Sequence, residues 1–459
     1  MNKKTMGSII ATGILSFAGI VVETAMNVAF PTLMSEFHVS VALVQWLTTG
    51  YLLVLSLIIP TSSFLKRSFP TKNLFIISNV FFISGTLLAM LACNFWMILI
   101  GRLIQGVGTG IALPLMFNII VERVHPSKIG TVMGFANLII AFAPAIGPTM
   151  GGYIVKTFGW RDIFLVLLPL LVISFLIGIK SIEQISKIEH LKFNWINWIA
   201  LAITFSCIIF ATNDASDYGW LSIHVLALIC ISIISIVFFY FHSKKDLQPL
   251  IRVNVFSNLR FDLSTIALMI SQFSILGVSL LIPNFAQLVL HKNAFVAGFL
   301  LLPGTTLGIV MSLLGGKALD YYGAKKPILF GFGAYAIAML LLTVFLPNIN
   351  TGLIIIFFAI AVIGQAFSSG NTLTNGLQQL PNDLNTDGNA VLNTVQQLAG
   401  ALGTSIVATI VANAQNAKNV SMQMGTLNGA RSAFGLLFIL QIIAIILNII
   451  IFRNKNNKA

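Results

Sequence analysis

The chain has 459 residues, of which 57% are hydrophobic and only 8% charged, with a net charge of +13. A soluble domain carries about 25% charged residues, and a soluble fold of this length cannot hide so much apolar surface, so lipid is the solvent that fits. The positive charge does not point to nucleic acid, because the basic residues sit in short segments between long apolar runs, where the positive-inside rule places them.

Those runs are continuous rather than alternating, which argues for helices and against a barrel. Each span needs roughly 20 apolar residues. The chain is therefore read as an all-α polytopic membrane protein with fourteen spans, near 7–30, 41–63, 73–92, 96–120, 130–155, 161–180, 195–212, 220–241, 262–285, 294–318, 327–346, 352–376, 388–413 and 431–452. The first imitates a signal peptide, with Lys3 and Lys4 ahead of an apolar stretch. It runs on past Glu23, however, and many spans follow, so it is kept as a span. The even count, an inserted pair and two similar basic loops suggest three units. These are an N-terminal six-helix bundle (1–180), an inserted helix pair with its linkers (181–255) and a C-terminal six-helix bundle with a short basic tail (256–459). The two loops are "SFLKRSFPTK" (63–72) and "GKALDYYGAKK" (316–326), and transporter halves often carry such faint symmetry. Cys93, Cys207 and Cys230 have no metal or redox spacing, and no cofactor is implied.

Charges inside spans are expensive and mark functional suspects. Glu23 lies well inside the first span. It reads either as a protonated acid bonded to a neighbouring backbone, or as a titratable site for a proton or a cationic ligand. Arg102 lies in the outer part of the fourth span at an apparently similar depth. It is either a clamp on backbone carbonyls or a partner for Glu23, in which case burial and the guanidinium act on the charge of Glu23 in opposite senses. Glu122 and Asp262 sit at span ends and read as solvated or helix-end charges. "APAIGPTMGG" places Pro144, Gly147, Pro148, Gly151 and Gly152 in one helix, which favours a kink and close packing. Gln105, Gly106, Gly108 and Gly110 make a second close-packing face beside Arg102. Asn371, Asn375, Asn393, Gln396 and Gln397 either line a wet cavity or bond neighbouring helices. Trp46, Tyr51, Phe135, Phe142, Phe273 and Phe285 are pocket candidates, with core or lipid-facing positions as the alternative for each.

These motifs together resemble the fourteen-span drug:proton antiporter family of the major facilitator superfamily. "VETAMNVAFP" (22–31) is similar to its first-span motif, "RLIQGVGTG" (102–110) to its fourth-span motif and "APAIGPTMGG" to its fifth-span antiporter motif. "WRDIF" (160–164), "QPLIRVNVFSNLRF" (248–261) and "NTVQQLAGALGTS" (393–405) follow in the expected order. The resemblance implies two bundles plus an inserted pair. It makes Glu23 the proton-coupling acid, where the family usually has Asp, and Arg102 the partner that links protonation to movement. It makes Gly147, Pro148, Gly151 and Gly152 a bending helix. The loop after the second span departs from the family, with Ser63, Arg67 and Pro70 in place of a Gly…Asp…Gly pattern. The matching loop of the second half keeps Gly316, Asp320 and Gly323.

The expectation is a proton-driven multidrug exporter of amphipathic or cationic compounds such as dyes, quaternary ammonium compounds and fluoroquinolones. It would have small-molecule drugs, protons and lipid as partners and act as a monomer. The alternative is a proton-coupled nutrient or metabolite transporter of the same fold. An enzyme is not expected, because no span carries a nucleophile–base pair or a metal-ligand cluster. With no targeting segment recognisable, the expected location is a bacterial plasma membrane.

Orientation follows from counting bases. With both termini in the cytoplasm, 20 of the 26 Lys and Arg residues fall in cytoplasmic segments and 5 in external ones, a bias that sets topology. A reporter fused after residue 455 is expected to remain cytoplasmic. An external reporter there would overturn the assignment.

Overall fold

A computed structural model describes the backbone of the chain except residues 1–2, 125, 185–187, 189–191, 247–248, 382–383, 418–419 and 454–459. Side chains at 63, 121, 126–131, 133–135, 137–138, 141, 145, 216–217 and 386 are also outside the described set. Lys187, Lys418, Lys455 and Lys458, counted above, thus lie outside the described residues, as do the side chains of Ser63, Lys128 and Phe135.

The chain is a multi-pass helical membrane protein. In lipid each span must satisfy its own backbone, and the apolar runs accordingly form helices. The first unit comprises α1 (Lys3–Phe37), a second span made of α2 (Val41–Val44), α3 (Trp46–Ile58) and α4 (Ser62–Ser68), then α5 (Thr71–Met90), α6 (Phe95–Arg123), α7 (Pro126–Thr157) and α8 (Arg161–Ser181). The inserted pair is α9 (Trp195–Tyr218) and α10 (Ile223–Lys245). The last unit holds α11 (Leu259–Leu288), α12 (Ala294–Phe299), α13 (Leu302–Tyr322), α14 (Lys325–Phe345), α15 (Thr351–Leu377), α16 (Asn385–Gln415) and α17 (Met422–Arg453). Among the described residues 13 of these segments are long and apolar enough to cross a membrane. The 32-residue α7 occupies the position of the remaining expected span.

Polar residues punctuate the apolar runs. Asn94, Asn194, Ser222, Asn293 and Asn350 each cap a helix, accepting a hydrogen bond from the backbone N–H three residues on, which relieves the unpaired donors of a first turn. Two expected spans are broken. The second changes to a tighter turn at Ile59–Thr61, around Pro60, and the tenth is split ahead of Pro303, which sits in the first turn of α13. Proline tolerates a first turn but not a helix interior hydrogen bond. The last span starts at Met422 rather than near 431, so Arg431 lies within α17, where its Nε donates to the Thr343 carbonyl at 3.2 Å.

Helix α1 is the centre of the first bundle and packs against α6, α7 and α8, while α5 packs on α6 and α8. Helix α11 has the matching place in the second bundle, against α15, α16 and α17, and α14 packs on α15 and α17. The bundles meet where α1 crosses α11, α7 meets α12 and α13, and α3 meets α16. The inserted α9 wedges against α3 and α16, with α10 outside it. Buried polar bonds hold α9 there. The Gln45 amide Nε2 donates to Asn213 Oδ1 at 2.6 Å, and Thr212 and Ser405 share a hydroxyl bond of 3.0 Å.

The "WRDIF" motif is a staple at one end of the first bundle. Trp160 Nε1 donates to Glu36 Oε2 at 2.6 Å, and Arg161 Nη1 donates to Glu36 Oε1 at 2.9 Å. The Arg161 guanidinium also lies 4.1 Å from the centre of the Trp160 ring. One acid at the end of α1 thus holds the turn into α8. Glu36→Ala is expected to lower the thermal midpoint of the solubilised protein by about 1–3 °C. The modest size follows from the partial exposure of the ion pair, 42% and 36%. An unchanged midpoint would show that the staple is dispensable.

Candidate functional site

A cavity of about 1850 Å³ lies between the two bundles. On α13 its lining runs from Thr305 to Asp320, a rise of about 22 Å at 1.5 Å per residue. One end opens among Lys66, Arg67, Lys192, Arg252, Asp320 and Asp387, the end of the molecule that carries Lys3, Lys4 and the other basic loops. Glu23 and Thr24 of α1, Pro148 of α7 and Phe358 of α15 stand at the other.

Beyond that deep end the bundles are closed by backbone contact. Gly152 of α7 lies against the Ala294 carbonyl, and Gly298 of α12 lies against the Pro148 carbonyl. A β-carbon at either place would overlap the facing carbonyl oxygen. Only glycine permits such an approach. The Gln287 amide of α11 donates to the Val28 carbonyl of α1 at 3.2 Å, and Thr49 of α3 meets Thr404 of α16 at 2.9 Å. Gly147 and Gly151 face the other way and seat α7 on α1, against Thr24 and Ala25. The Gly-Pro helix therefore binds its own bundle with one edge and the opposite bundle with the other.

Glu23 is 6% exposed, and that exposure is to the cavity. It makes no hydrogen bond or ion pair among the described residues. Glu23 and Arg102 form no direct ion pair among the described residues, although their charges act on one another through the interior. α1 continues through Pro31 to Phe37, beyond its expected end, so Glu23 is 14 residues from that end while Arg102 is only 7 residues from Phe95. Arg102 is instead fully buried behind the cavity wall. Its Nε donates to the Leu47 carbonyl at 3.1 Å and its Nη1 to Gln105 Oε1 at 2.9 Å. The guanidinium lies 4.1 Å from the Tyr51 ring centre, a contact favoured by the ring quadrupole. Nη2 has no hydrogen-bond partner among the described residues.

The cage is itself braced. Gln105 Nε2 donates to Thr86 of α5 at 2.8 Å, and the Tyr51 hydroxyl donates to Thr109 Oγ1 at 2.8 Å and lies 3.1 Å from the Gly19 carbonyl. Gly19 is one helical turn before Glu23. A chain of short contacts thus links the arginine to the backbone that carries the acid. Gly106 lets α6 close on Tyr51 and Val54 of α3.

Of the other residues singled out from sequence, Pro144, Pro148, Asn371, Asn393, Gln396, Gln397 and Asp320 line the cavity. Trp46 and Tyr51 do not. Trp46 stacks on Phe210, with ring centres 5.1 Å apart, and Tyr51 is consumed by the arginine cage. Phe142 is 46% exposed on the outer face of α7, and Phe273 and Phe285 are absent from the lining. Aromatic type alone could not separate pocket from lipid-facing positions. Asn375 is buried away from the cavity. Glu122 is not simply solvated, because it pairs with Lys66 at 2.8 Å. Lys66, the neighbour of the departing Arg67, therefore meets an acid near the end of α6. Asp262 lies in the first turn of α11, outside the lining. Gln272, Gln365, Ser369 and Thr374 line the cavity but had not been singled out. A signal was available for two of them, since 365 and 369 are one helical turn apart on the same face of α15.

A family model described as Major Facilitator Superfamily matches residues 12–404. The chain is 38% identical over 401 residues to the lincomycin resistance protein LmrB of Listeria innocua, covering 87% of this chain and 85% of that protein. It is 36% identical to the protein of the same name from Bacillus subtilis, over 90% and 87% of the two chains. A multidrug resistance protein B homolog of Mycobacterium tuberculosis is 26% identical over 89% and 76%. Among solved structures, a POT family transporter in complex with 5-aminolevulinic acid superposes with a TM-score of 0.71 at 13% identity, covering 97% of this chain and 96% of that one. At that identity the likeness speaks to fold alone.

Gly298→Val should prevent the deep end from closing. In a background lacking the native cysteines, a cysteine at Gln287 is expected to react several-fold faster with a water-soluble maleimide when Gly298 is also replaced. Equal rates would mean that the glycine contact does not seal the bundles.

Proposed function

Because this chain belongs to the Major Facilitator Superfamily, we propose that it is a proton-driven drug exporter in which Glu23 exchanges a proton for an amphipathic cation. The observation that carries this reading is the place of Glu23. Among the described residues it is the one acid lining the cavity away from the mouth. An acid in that position, with no direct ion pair among the described residues, can hold a proton or a ligand cation but cannot cheaply hold both. Competition for one site yields exchange without further machinery.

The relatives named for lincomycin and multidrug resistance support a drug as the cargo, and dyes, quaternary ammonium compounds and fluoroquinolones remain candidate classes. The positive-inside bias places the open mouth at the cytoplasm. A drug would then enter from the cytoplasm or the inner leaflet, and the glycine-lined seam would be the outer gate. Pro144, Gly147, Pro148, Gly151 and Gly152 would allow α7 to move with its own bundle while releasing α12. Asp320, at the mouth, is the candidate for the matching inner gate.

Arg102 has a positioning role in this scheme. Its cage holds the Gly19 segment of α1, and its charge sits in the same low-dielectric interior as Glu23, where it weighs on whether Glu23 carries a proton. The unpartnered Nη2 leaves a donor available when the helices shift. Lys supplies charge but not the planar fork.

Glu23→Gln retains size and hydrogen bonding but cannot titrate. In vesicles under an imposed proton gradient it is expected to abolish drug-induced pH change, by tenfold or more on the order set by losing the coupling group, with expression intact. Wild-type coupling in that variant would sink the assignment. Energising cells should lower drug accumulation for an exporter and raise it for a proton-coupled importer, which separates the two directions of transport.

Arg102→Lys should leave a membrane-inserted protein with strongly reduced coupling, and Arg102→Ala should be inactive. Normal drug-driven proton movement in Arg102→Ala would show that the cage serves folding alone.

A further inference from the structure

The inserted pair α9 and α10 is one hairpin held by its own polar bonds. Ser232 and Ser235 of α10 donate to the Thr204 and Ala200 carbonyls of α9 at 3.0 and 2.8 Å, and His242 of α10 meets Asn197 of α9 at 2.8 Å. The hairpin touches both bundles. Leu201, Phe205 and Ile209 of α9 share one apolar core with Leu52 of α3 and Leu398 of α16. Apolar burial has no direction, so the polar bonds decide which bundle the hairpin follows.

To the first bundle α9 is pinned at two heights. Trp198 Nε1 donates to the Leu57 carbonyl at 3.0 Å, and Gln45 Nε2 donates to Asn213 Oδ1 at 2.6 Å. These points stand about 22 Å apart along the helix and together fix its axis against α3. The linker ahead of α9 adds to them, with the Thr71 backbone N–H donating to Gln184 Oε1 at 2.7 Å and Phe193 packed on Phe64, ring centres 4.8 Å apart. To the second bundle α9 is bonded, among the described residues, at one turn. Thr212 shares a hydroxyl bond with Ser405 at 3.0 Å, and the Thr409 hydroxyl donates to the Thr212 carbonyl at 3.0 Å. A single point leaves a pivot. The tie at the mouth lies in the linker after α10, where Arg252 pairs with Asp387, and a partly solvated pair of that kind contributes little.

The two contacts also differ in what their release costs. Gln45 is engaged at both ends, its Nε2 by Asn213 and its Oε1 by the Thr49 hydroxyl. All three residues are buried, and parting the amides would strand buried donors and acceptors. The contact with α16 is made of hydroxyls. Thr212 also bonds the Ile209 carbonyl of its own helix at 2.8 Å. Thr404, which meets Thr49 of α3 at 2.9 Å, also bonds its own Ala401 carbonyl at 3.0 Å. Such back-bonding keeps a hydroxyl satisfied when its neighbour leaves. Thr404, Ser405 and Thr409 belong to one stretch of α16, so α16 withdraws from α3 and α9 together. Resting on the reading of the glycine-lined seam as the outer gate, we propose that the inserted pair travels with the first bundle. Thr212 is its latch on α16, made while the outer gate is shut and released when that gate opens.

Latch and anchor are neighbours on α9, so one experiment tests both. In a background lacking the native cysteines, Thr212→Cys/Ser405→Cys and Gln45→Cys/Asn213→Cys are each joined by a short bis-methanethiosulfonate reagent, and ethidium export is followed in energised cells. Joining the first pair should stop export, and a reductant should restore it. Joining the second should leave export unchanged. Equal effects of the two cross-links, or a block by the second alone, overturn the latch. Distances between spin labels decide the matter without relying on transport. The labels go on the exposed outer-end residues Leu91 of the first bundle, Leu221 of the hairpin and Met422 of the second bundle. Between alkaline and acidic buffer the Leu91–Met422 and Leu221–Met422 distances should change together while Leu91–Leu221 stays constant. A label at Leu221 that keeps its distance to Met422 and moves relative to Leu91 overturns the latch and leaves the outer gate standing. A constant Leu91–Met422 distance overturns the gate reading, and the latch with it.

Discussion

A guanidinium deprived of water is among the costliest groups a membrane interior can hold, and the first bundle is organised around one. Arg102 is fully buried, and none of its hydrogen-bond partners is an anion. Its charge is distributed over the Leu47 carbonyl, the Gln105 side-chain carbonyl and the face of Tyr51. Each of those partners must itself be held in place. Gln105 reaches Thr86 on α5, and Tyr51 reaches Thr109 on α6 and the backbone of α1. One charge therefore ties α1, α3, α5 and α6 into a single body. Breaking any strand of the cage exposes an uncompensated cation to a medium of low dielectric, which is why the cage is mutually reinforcing.

The contacts between bundles are of a different kind. Within the first bundle the arginine cage and the Glu36 staple use charges. Across the seam the contacts are glycine against carbonyl, amide against carbonyl and hydroxyl against hydroxyl. Neutral hydrogen bonds contribute only about 1 kcal/mol each, and close glycine contacts lose only dispersion when they part. Two rigid bodies joined by individually weak contacts are suited to rocking apart at one end while closing at the other. The inserted α9 lies on this seam, bonded to Gln45 on one side and Ser405 on the other, so any such movement must slide along it or carry it with one bundle.

The mouth shows how a departure from a family pattern can be absorbed. Arg67 stands where the resemblance leads one to expect an acid, and beside it in the last turn of α4 Lys66 meets Glu122 near the end of α6. At the same rim Arg252 Nε donates to Asp387 Oδ2 at 2.7 Å, joining the linker that follows the inserted pair to the first turn of α16. Two ion pairs thus join separate elements at the rim, and Glu23 is the charge set deep in the cavity.

The helical class, the number and order of the spans, and the suspicion attached to Glu23 and Arg102 all follow from sequence, because lipid imposes two local rules. Each span must be long and apolar, and any charge within it must have a reason. These rules act residue by residue and need no knowledge of neighbours. Which polar residue faces a cavity, and which is spent on packing, is settled between helices. Asn371, Asn393 and Gln397 reach the cavity, whereas Asn375 does not, and Tyr51 serves Arg102 although its composition marked it as a pocket candidate. That Glu23 and Arg102 act on one another without a direct ion pair is settled the same way, since depth along one helix says nothing about rotation about its axis. Local rules of lipid thus suffice to read a membrane-spanning helical chain with Glu23 and Arg102 inside its early spans. That the base is caged behind the wall while the acid opens onto the cavity comes from the packing of helices, because a side chain's surroundings depend on the relative rotation and contact of helices distant in the chain.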